Sequence, residues 1–530
     1  MDWIQQPDLL PYVLERRAKE SPGTIFLTHV DGDSLSYGES YELSLLWAGA
    51  LRDIGVGEGD NVLSMLPNGF ATYHAWLGMS WLGAVEVSLN TGYRGHLLRY
   101  TIETSRARVL IVARRYLAAV AEIADGLGHL ETIVVLDDPA STAEEIAVPR
   151  KPLTEREFFA DATPIEPPGP AGPQPWTGSC IIWTSGTTGP SKGVILPWAE
   201  WYPFCEVVTS VTRADDVLYH FLPPFHVGGK ILFYSALLRG FPIVMREVFS
   251  SSNFWRDVRE HGVTHTVMQG PMAMMLASAP ESPSDADNPL RSMGCAPLPP
   301  DLPGFLKRFG LTGVNTYYGM TEIGLPFASA GFDLPDTESC GRLRPGYEAR
   351  IVDEHDYPVE RGKVGELIVR ADHPWTMNAG YYGMPAETAH AWRNGWFHTG
   401  DAFRVDEDGN YYFVDRMKDT LRRRGENISS FEVETYVNAH PEVAECAAIA
   451  VPSELGEDDV KIVVVLADGS SLGHGELAEW LAARMPRFMV PRYIEFTGRL
   501  PKTDATLKTK KAFLRENANP ENTWDREATR

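Results

Sequence analysis

The sequence predicts an α/β protein. A large, multi-layered N-terminal part built on βαβ units is followed by a smaller C-terminal region of mixed α and β structure. Three observations carry this reading. The first 150 residues alternate strand and helix patterns, which implies a mostly parallel sheet with helices on both faces. From about 345 to 415 the chain turns β-rich, and from about 416 to 515 it returns to mixed α and β. The length of 530 residues exceeds one ordinary domain and points to several structural units.

The elements follow in order. Residues 35–55 read as a short strand, a turn and an amphipathic helix closed by Gly55, since glycine ends helices at low steric cost. Residues 60–68 form a buried strand. The apolar stretch 71–89 contains His74 and Glu86, so it is a buried helix leading into a strand, not a membrane span. Residues 107–112 and 131–138 are further strands. Six prolines within 162–176 mark a loop. ARIVDEHDYPVERGKVGELIVR reads as a two-stranded hairpin. The polar tail from Arg515 onward is expected to fray.

Composition narrows the function. Apolar residues make up 44% and aromatics 11%, enough to build a core and to exclude general disorder. The net charge of −23 disfavours nucleic acid and anionic membranes as partners. The five cysteines are scattered without a CxxC pair, which argues against a disulfide framework and a zinc site and for a reducing cytoplasm. The N-terminus MDWIQQPDLL lacks the features of a signal peptide.

The strongest chemical signal is IIWTSGTTGPSKGV, residues 181–194. An apolar strand enters a loop holding three glycines, five hydroxyls and Lys192. Glycines let backbone N–H groups approach an anion, hydroxyls add donors, and lysine adds charge. The segment is a phosphate cradle, yet it lacks the GxxxxGK[ST] spacing of a P-loop. Two basic clusters stand out on the acidic background, Arg416–Arg424 and Lys502–Arg515. They suit a polyanion such as ATP or coenzyme A.

This loop resembles the signature segment of the adenylate-forming (AMP-binding) superfamily, and further segments match the family in order. They are PPFHVGG (223–229), GCAPLP (294–299), TYYGMTE (316–322), WFHTGD (396–401), DRMKDTLRRRGENISSFEVE (415–434) and LPKTDATLKTKKAFLR (500–515). The chain is most similar to the acyl-CoA synthetase branch, in its carnitine/crotonobetaine-CoA ligase-like group. The resemblance implies an N-terminal adenylation domain over 1–417 that includes a small β-barrel-like unit. A mobile C-terminal domain, 418–530, would hinge at Lys418 and carry the catalytic Lys508.

The resemblance also assigns residues. Thr184, Ser185, Gly186, Thr187, Thr188 and Lys192 would cradle the ATP phosphates. Tyr318 would stack near the adenine beside the backbone of Gly294, Cys295 and Ala296, Tyr317, Gly319 and Met320 would also contact the nucleotide, and Thr321 would touch the α-phosphate. Glu322 would hold Mg²⁺, a task suited to a hard oxygen ligand. Asp401 would accept from the ribose hydroxyls, with Arg416 beside it. His226 would sit where acyl pocket and thiol tunnel meet, Thr266, Gln269, Gly270 and Met272 would line the pocket, and Gly425 and Glu426 the tunnel. Two departures are visible: Arg424 stands where relatives have a first glycine, and Leu507 where glycine is usual before the lysine. The second leaves Lys510 as a competitor of Lys508.

The activity implied is ATP-dependent conversion of a small carboxylic acid to an acyl-adenylate, then transfer to coenzyme A. Catalysis would rest on Lys508, Glu322, Thr184 and His226. The alternatives are transfer to a carrier-protein thiol or another nucleophile, and a non-catalytic adenylate-binding relative. A homodimer is left open.

Overall fold

The computed structural model describes residues 4–138, 141, 152–184, 191–329, 334–417, 421–423, 426–428, 430–452, 458–486, 489–502, 509–518 and 523–528. The chain forms two units. The first takes Met1–Glu348 with Val369–Phe397, and the second takes Ala349–Ile368 with His398–Arg530. Lys418, where the sequence reading divides the chain, lies outside the described residues.

The first unit holds two seven-stranded sheets. One runs in the order Leu153–Thr154, Thr132–Leu136, Val109–Ala113, Asn61–Met65, Val85–Ser88, Gly178–Thr184, Lys192–Pro197. Its pairs are parallel except the last, an antiparallel hairpin. The strands are apolar at almost every position because both faces are covered. Period-2 alternation sorts them between two cores. Leu110, Val112, Ile133 and Val135 join one cluster, while Val109, Ile111, Val134 and Leu136 join the other.

The second sheet runs in the order Gly313–Asn315, Ser292–Ala296, His265–Gln269, Leu218–His220, Ile243–Met245, Ile25–His29, Ser34–Ser36. It is parallel except at its last pair. Helix Tyr37–Asp53 begins with a capping box in which Ser36 and Glu39 satisfy each other's backbone N–H. Helix Phe70–Trp81 and strand Val85–Ser88 are the buried pair expected for 71–89. Among the described residues no helix is long and apolar enough to cross a membrane. Glu86 has a specific partner: its carboxylate binds Lys230 and accepts from Ser64 Oγ at 2.6 Å. The Lys230 ammonium lies 4.1 Å from the Trp76 ring centroid. The ion pair is entirely buried, and such a pair is tolerated only because each charge is compensated.

The β-rich stretch consists of Tyr347–Val352, Gly365–Ala371, Phe397–Val405 and Asn410–Arg416. In the second unit, Val443–Pro452 pairs antiparallel with Asp458–Leu466, which pairs parallel with Tyr493–Phe496. Val460, Ile462 and Val464 face a core with helices Ser430–Asn438 and His474–Ala482. Val463 faces the other way, with Leu500. Described parts of the polar tail, expected to fray, are tied down. Trp524–Asp525 adds an antiparallel strand to Tyr493–Phe496, and Lys461 Nζ binds the Ala518 carbonyl at 2.7 Å and Thr523 Oγ1 at 3.2 Å. Polar side chains here are partners, which composition does not reveal.

Candidate active site

The phosphate-loop segment is a strand hairpin. Gly178–Thr184 and Lys192–Pro197 pair antiparallel, with Thr184 opposite Lys192 and Trp183 opposite Gly193. Thr184 Oγ1 donates to the Lys192 carbonyl at 3.4 Å. Ser185, Gly186, Thr187 and Thr188 lie outside the described residues. The ends of their loop are thus set by a sheet that is buried on both sides.

Residues 379–382 run along the outer strand of this hairpin. Ile195 N–H donates to Gly380 O, Ala379 N–H to Ile195 O, and Tyr382 N–H to Gly193 O, at 3.0, 2.9 and 2.7 Å. This alignment brings Tyr381 between two predicted site residues. Its ring lies 4.7 Å below Lys192 Nζ, and its hydroxyl donates to Glu322 Oε1 at 3.2 Å. Asn378 grips the same glutamate by its backbone, its Nδ2 donating to Glu322 O at 2.6 Å. Tyr381 and Asn378 are candidate site residues that the sequence reading missed. They sit in TMNAGYYGM, where nothing local signals chemistry.

Glu322 follows a tight strand reversal. Tyr317–Met320 pairs antiparallel with Gly324–Ala328, with an irregularity between Tyr318 and Met320. Gly319 stands at that irregularity, where a Cβ would lie 2.0 Å from Gly324 O, so only glycine permits the turn that presents Thr321 and Glu322. Both are buried. Glu200 is fully buried nearby, and its carboxyl is pushed well above the usual carboxylate range by burial and then by the charge on Glu322. The Tyr381 phenol is raised for the same two reasons. The surroundings of Glu322 are therefore rich in acid groups, and its hard oxygen suits Mg²⁺.

Gly294, Cys295 and Ala296 end a strand beside His265–Gln269, with Gly294 opposite Val267 and Ala296 opposite Gln269. A Cβ on Gly294 would lie 3.1 Å from Val267 and 3.5 Å from the Tyr317 ring, so the bare backbone lets that ring approach. Burial raises the Cys295 thiol to about 12, which keeps it neutral and not nucleophilic. Gln269 caps helix Gly270–Ala277, whose first turn holds Gly270 and Met272. Thr266 is fully buried and donates to Tyr219 O at 3.2 Å, a core position within the sheet. His226 is the N-cap residue of helix Val227–Arg239, its ring 5.2 Å from that of Phe225.

In the second unit, Asp401 and Arg416 face each other across the hairpin Phe397–Val405 and Asn410–Arg416. Arg416 Nε lies 2.9 Å from Asp401 Oδ1, and the aspartate is buried while the arginine is partly exposed. Asp415 Oδ1 and Oδ2 accept from the N–H groups of Arg416 and Ser430 at 2.8 and 2.6 Å. Glu426 begins a strand paired with Leu421–Arg423. Gly425, Lys418 and Lys508 lie outside the described residues. Lys502 and Thr509, on either side of residues 503–508, form an isolated antiparallel bridge. The basic cluster around it is partly spent on structure. Lys502 pairs with Glu445, and Lys511 Nζ binds Glu434 Oε1 at 2.8 Å.

Comparison with known proteins follows the same lines. The sequence profile described as AMP-binding enzyme matches residues 14–382, and the one described as AMP-binding enzyme C-terminal domain matches 432–506. Crotonobetaine/carnitine–CoA ligase of Salmonella paratyphi A is 28% identical over 469 residues, covering 86% of this chain and 88% of that protein. The same-named ligase of Salmonella typhimurium shares the same identity and coverage. In fold, the chain is similar to ATP-bound MatB from Rhodopseudomonas palustris. The TM-score is 0.83 at 24% identity, covering 96% of this chain and 98% of that one. It is also similar to O-succinylbenzoate coenzyme A synthetase from Bacillus subtilis in complex with AMP. There the TM-score is 0.82 at 23% identity, covering 98% and 100%.

Proposed function

The chain belongs to the AMP-binding enzyme family, and from that premise we propose that it is an AMP-forming acid–thiol ligase. It activates a small carboxylic acid with ATP and passes the acyl group to coenzyme A. The ligase names of its relatives support this class. The observation that carries the reading is the gripped Glu322. It is buried, its carboxylate accepts from the Tyr381 hydroxyl and its backbone carbonyl from Asn378, and Tyr381 also lies under Lys192.

In the first step the acid's carboxylate oxygen bonds to the α-phosphorus of ATP and the bond to the β-phosphate oxygen breaks. Acyl-adenylate forms and pyrophosphate leaves. Negative charge gathers on the phosphoryl oxygens. Lys192 and Lys508 are assigned to neutralise it, with Thr184 and Thr321 donating hydrogen bonds. Glu322 would hold Mg²⁺, which when bound supplies charge neutralisation at the phosphates. Asp401 accepts from the ribose hydroxyls, and Arg416 holds its orientation. His226, Gln269, Gly270 and Met272 border the acid, and the buried Thr266 supports them from the sheet. In the second step the thiol attacks the adenylate carbonyl and AMP leaves. We assign that step to a rearrangement of residues 418–530 about Lys418, which withdraws Lys508 and brings up Gly425 and Glu426.

The test is pyrophosphate release over a panel of aliphatic, aryl and amino-substituted acids, with and without coenzyme A. The reading expects release with a subset of acids and thioester only when coenzyme A is present. Release without thioester would reassign the acceptor. No release with any acid would refute the activity.

A further inference from the structure

The second unit carries a cluster that the ligase reaction does not use. His398, on strand Phe397–Val405, is held between two carboxylates. Its Nδ1 lies 3.0 Å from Glu366 Oε2, and Glu366 Oε1 accepts the Gly400 N–H at 3.0 Å. On its other side, Nε2 lies 3.8 Å from Asp356 Oδ2. The His398 side chain is only 2% exposed, and Nε2 is fully buried without a hydrogen-bond partner. One candidate donor atom from each of the three residues falls within 4.8 Å of the others.

The chemistry of these contacts is directional. An ionised carboxylate only accepts, so the hydrogen bond to Glu366 places the imidazole proton on Nδ1. In a neutral imidazole Nε2 then carries a lone pair, 3.8 Å from Asp356 Oδ2. A separation of 3.8 Å is too long for a hydrogen bond, and the lone pair of a neutral imidazole against a carboxylate is repulsive unless a proton or a metal ion stands between them. Tetrahedral zinc with N and O ligands at ~2.0–2.1 Å sets those atoms roughly 3.4 Å apart, so closure by a few tenths of an ångström suffices. A carboxylate on the far nitrogen of a ligating histidine is the usual support of such a ligand. One imidazole with a carboxylate favours zinc-type ions over Mg²⁺ or Ca²⁺, which prefer all-oxygen shells.

We propose that Asp356 and His398 bind a divalent transition-metal ion of the zinc type, with Glu366 as the supporting carboxylate and water completing the shell. The ion is structural. It fixes Glu366, which holds the Gly400 N–H directly before Asp401, and so it orders the strand that presents the ribose acceptor. This site is separate from Glu322, and it stands whether or not the ligase reading does.

The probe is Co²⁺, whose visible absorption reports its ligands. Full-length protein is stripped with chelator, dialysed and titrated with Co²⁺ in the absence of nucleotide. The expected result is one Co²⁺ per chain, displaced by Zn²⁺. Asp356→Asn should weaken binding at least tenfold. Asparagine tolerates the left-handed backbone at this position, where φ is +65°, so that variant keeps the turn even if His398→Gln fails to fold. Glu366→Gln should weaken binding 10- to 100-fold through the supporting contact. Glu322→Gln should leave the Co²⁺ spectrum unchanged while it impairs pyrophosphate release, which separates the two sites. Substoichiometric binding at micromolar Co²⁺, or an isotherm unaltered by Asp356→Asn, would overturn the proposal.

Discussion

Tyr381→Phe isolates one hydrogen bond. The phenol donates to Glu322 Oε1 at 3.2 Å in a buried setting, and the ring lies under Lys192 Nζ. Phenylalanine keeps the ring, its packing and the cation–π contact, and removes only the O–H. A hydrogen bond to a charged group is worth ~1.5–3 kcal/mol, and each 1.36 kcal/mol is about tenfold. The variant should therefore lose about 10- to 150-fold in kcat/KM for acid-dependent pyrophosphate release. The loss should shrink as Mg²⁺ is raised, because the carboxylate is held less well before the ion binds. The assay is a coupled pyrophosphate measurement across a Mg²⁺ series, with near-UV circular dichroism to confirm intact packing. A wild-type Mg²⁺ dependence with unchanged kcat/KM would refute the claim that Tyr381 positions Glu322.

Lys230→Met should cost ~3–5 kcal/mol of stability, because it leaves Glu86 charged and buried without its cation. Urea midpoints should show much of that loss recovered in the double variant with Glu86→Met, and equal losses in single and double variants would contradict the pairing. Lys508→Ala should abolish thioester formation from acid plus ATP yet retain it from presynthesised acyl-adenylate plus coenzyme A. If Lys510→Ala shows that pattern instead, Lys510 and not Lys508 is the catalytic lysine. Burial lowers His74 and His265 from the ordinary value near 6.5 to about 4, and His220 to about 3. The unfolded chain then binds more protons than the folded one below about pH 6.5, so stability falls on acidification. The slope is about 1.4 kcal/mol per pH unit for each histidine, ending near pH 4 for His74 and His265. Urea melts between pH 7 and 4.5 should show this decline, and His265→Gln should make it shallower.

What the sequence by itself determined is local. Strand Asn61–Met65, helix Phe70–Trp81 and the apolar strand Gly178–Thr184 that enters the glycine-rich segment were legible because hydrophobic period acts within a few residues. The motif segments were legible through their resemblance to the adenylate-forming family, and that resemblance assigned Glu322, Asp401 and Arg416 as candidates before any packing was known. The facing of Asp401 and Arg416 across a hairpin, however, is a matter of strand register. Only the tertiary structure decided which distant groups meet. Tyr381 reaches Glu322 across 59 residues of chain, and Lys230 reaches Glu86 across 144. Lys511 is tied to Glu434, and Trp524–Asp525 of the polar tail joins a sheet. A charge or phenol in a sequence carries no mark of its partner. The partner is chosen by how whole sheets and helices pack, and burial then makes that choice costly to leave unmet.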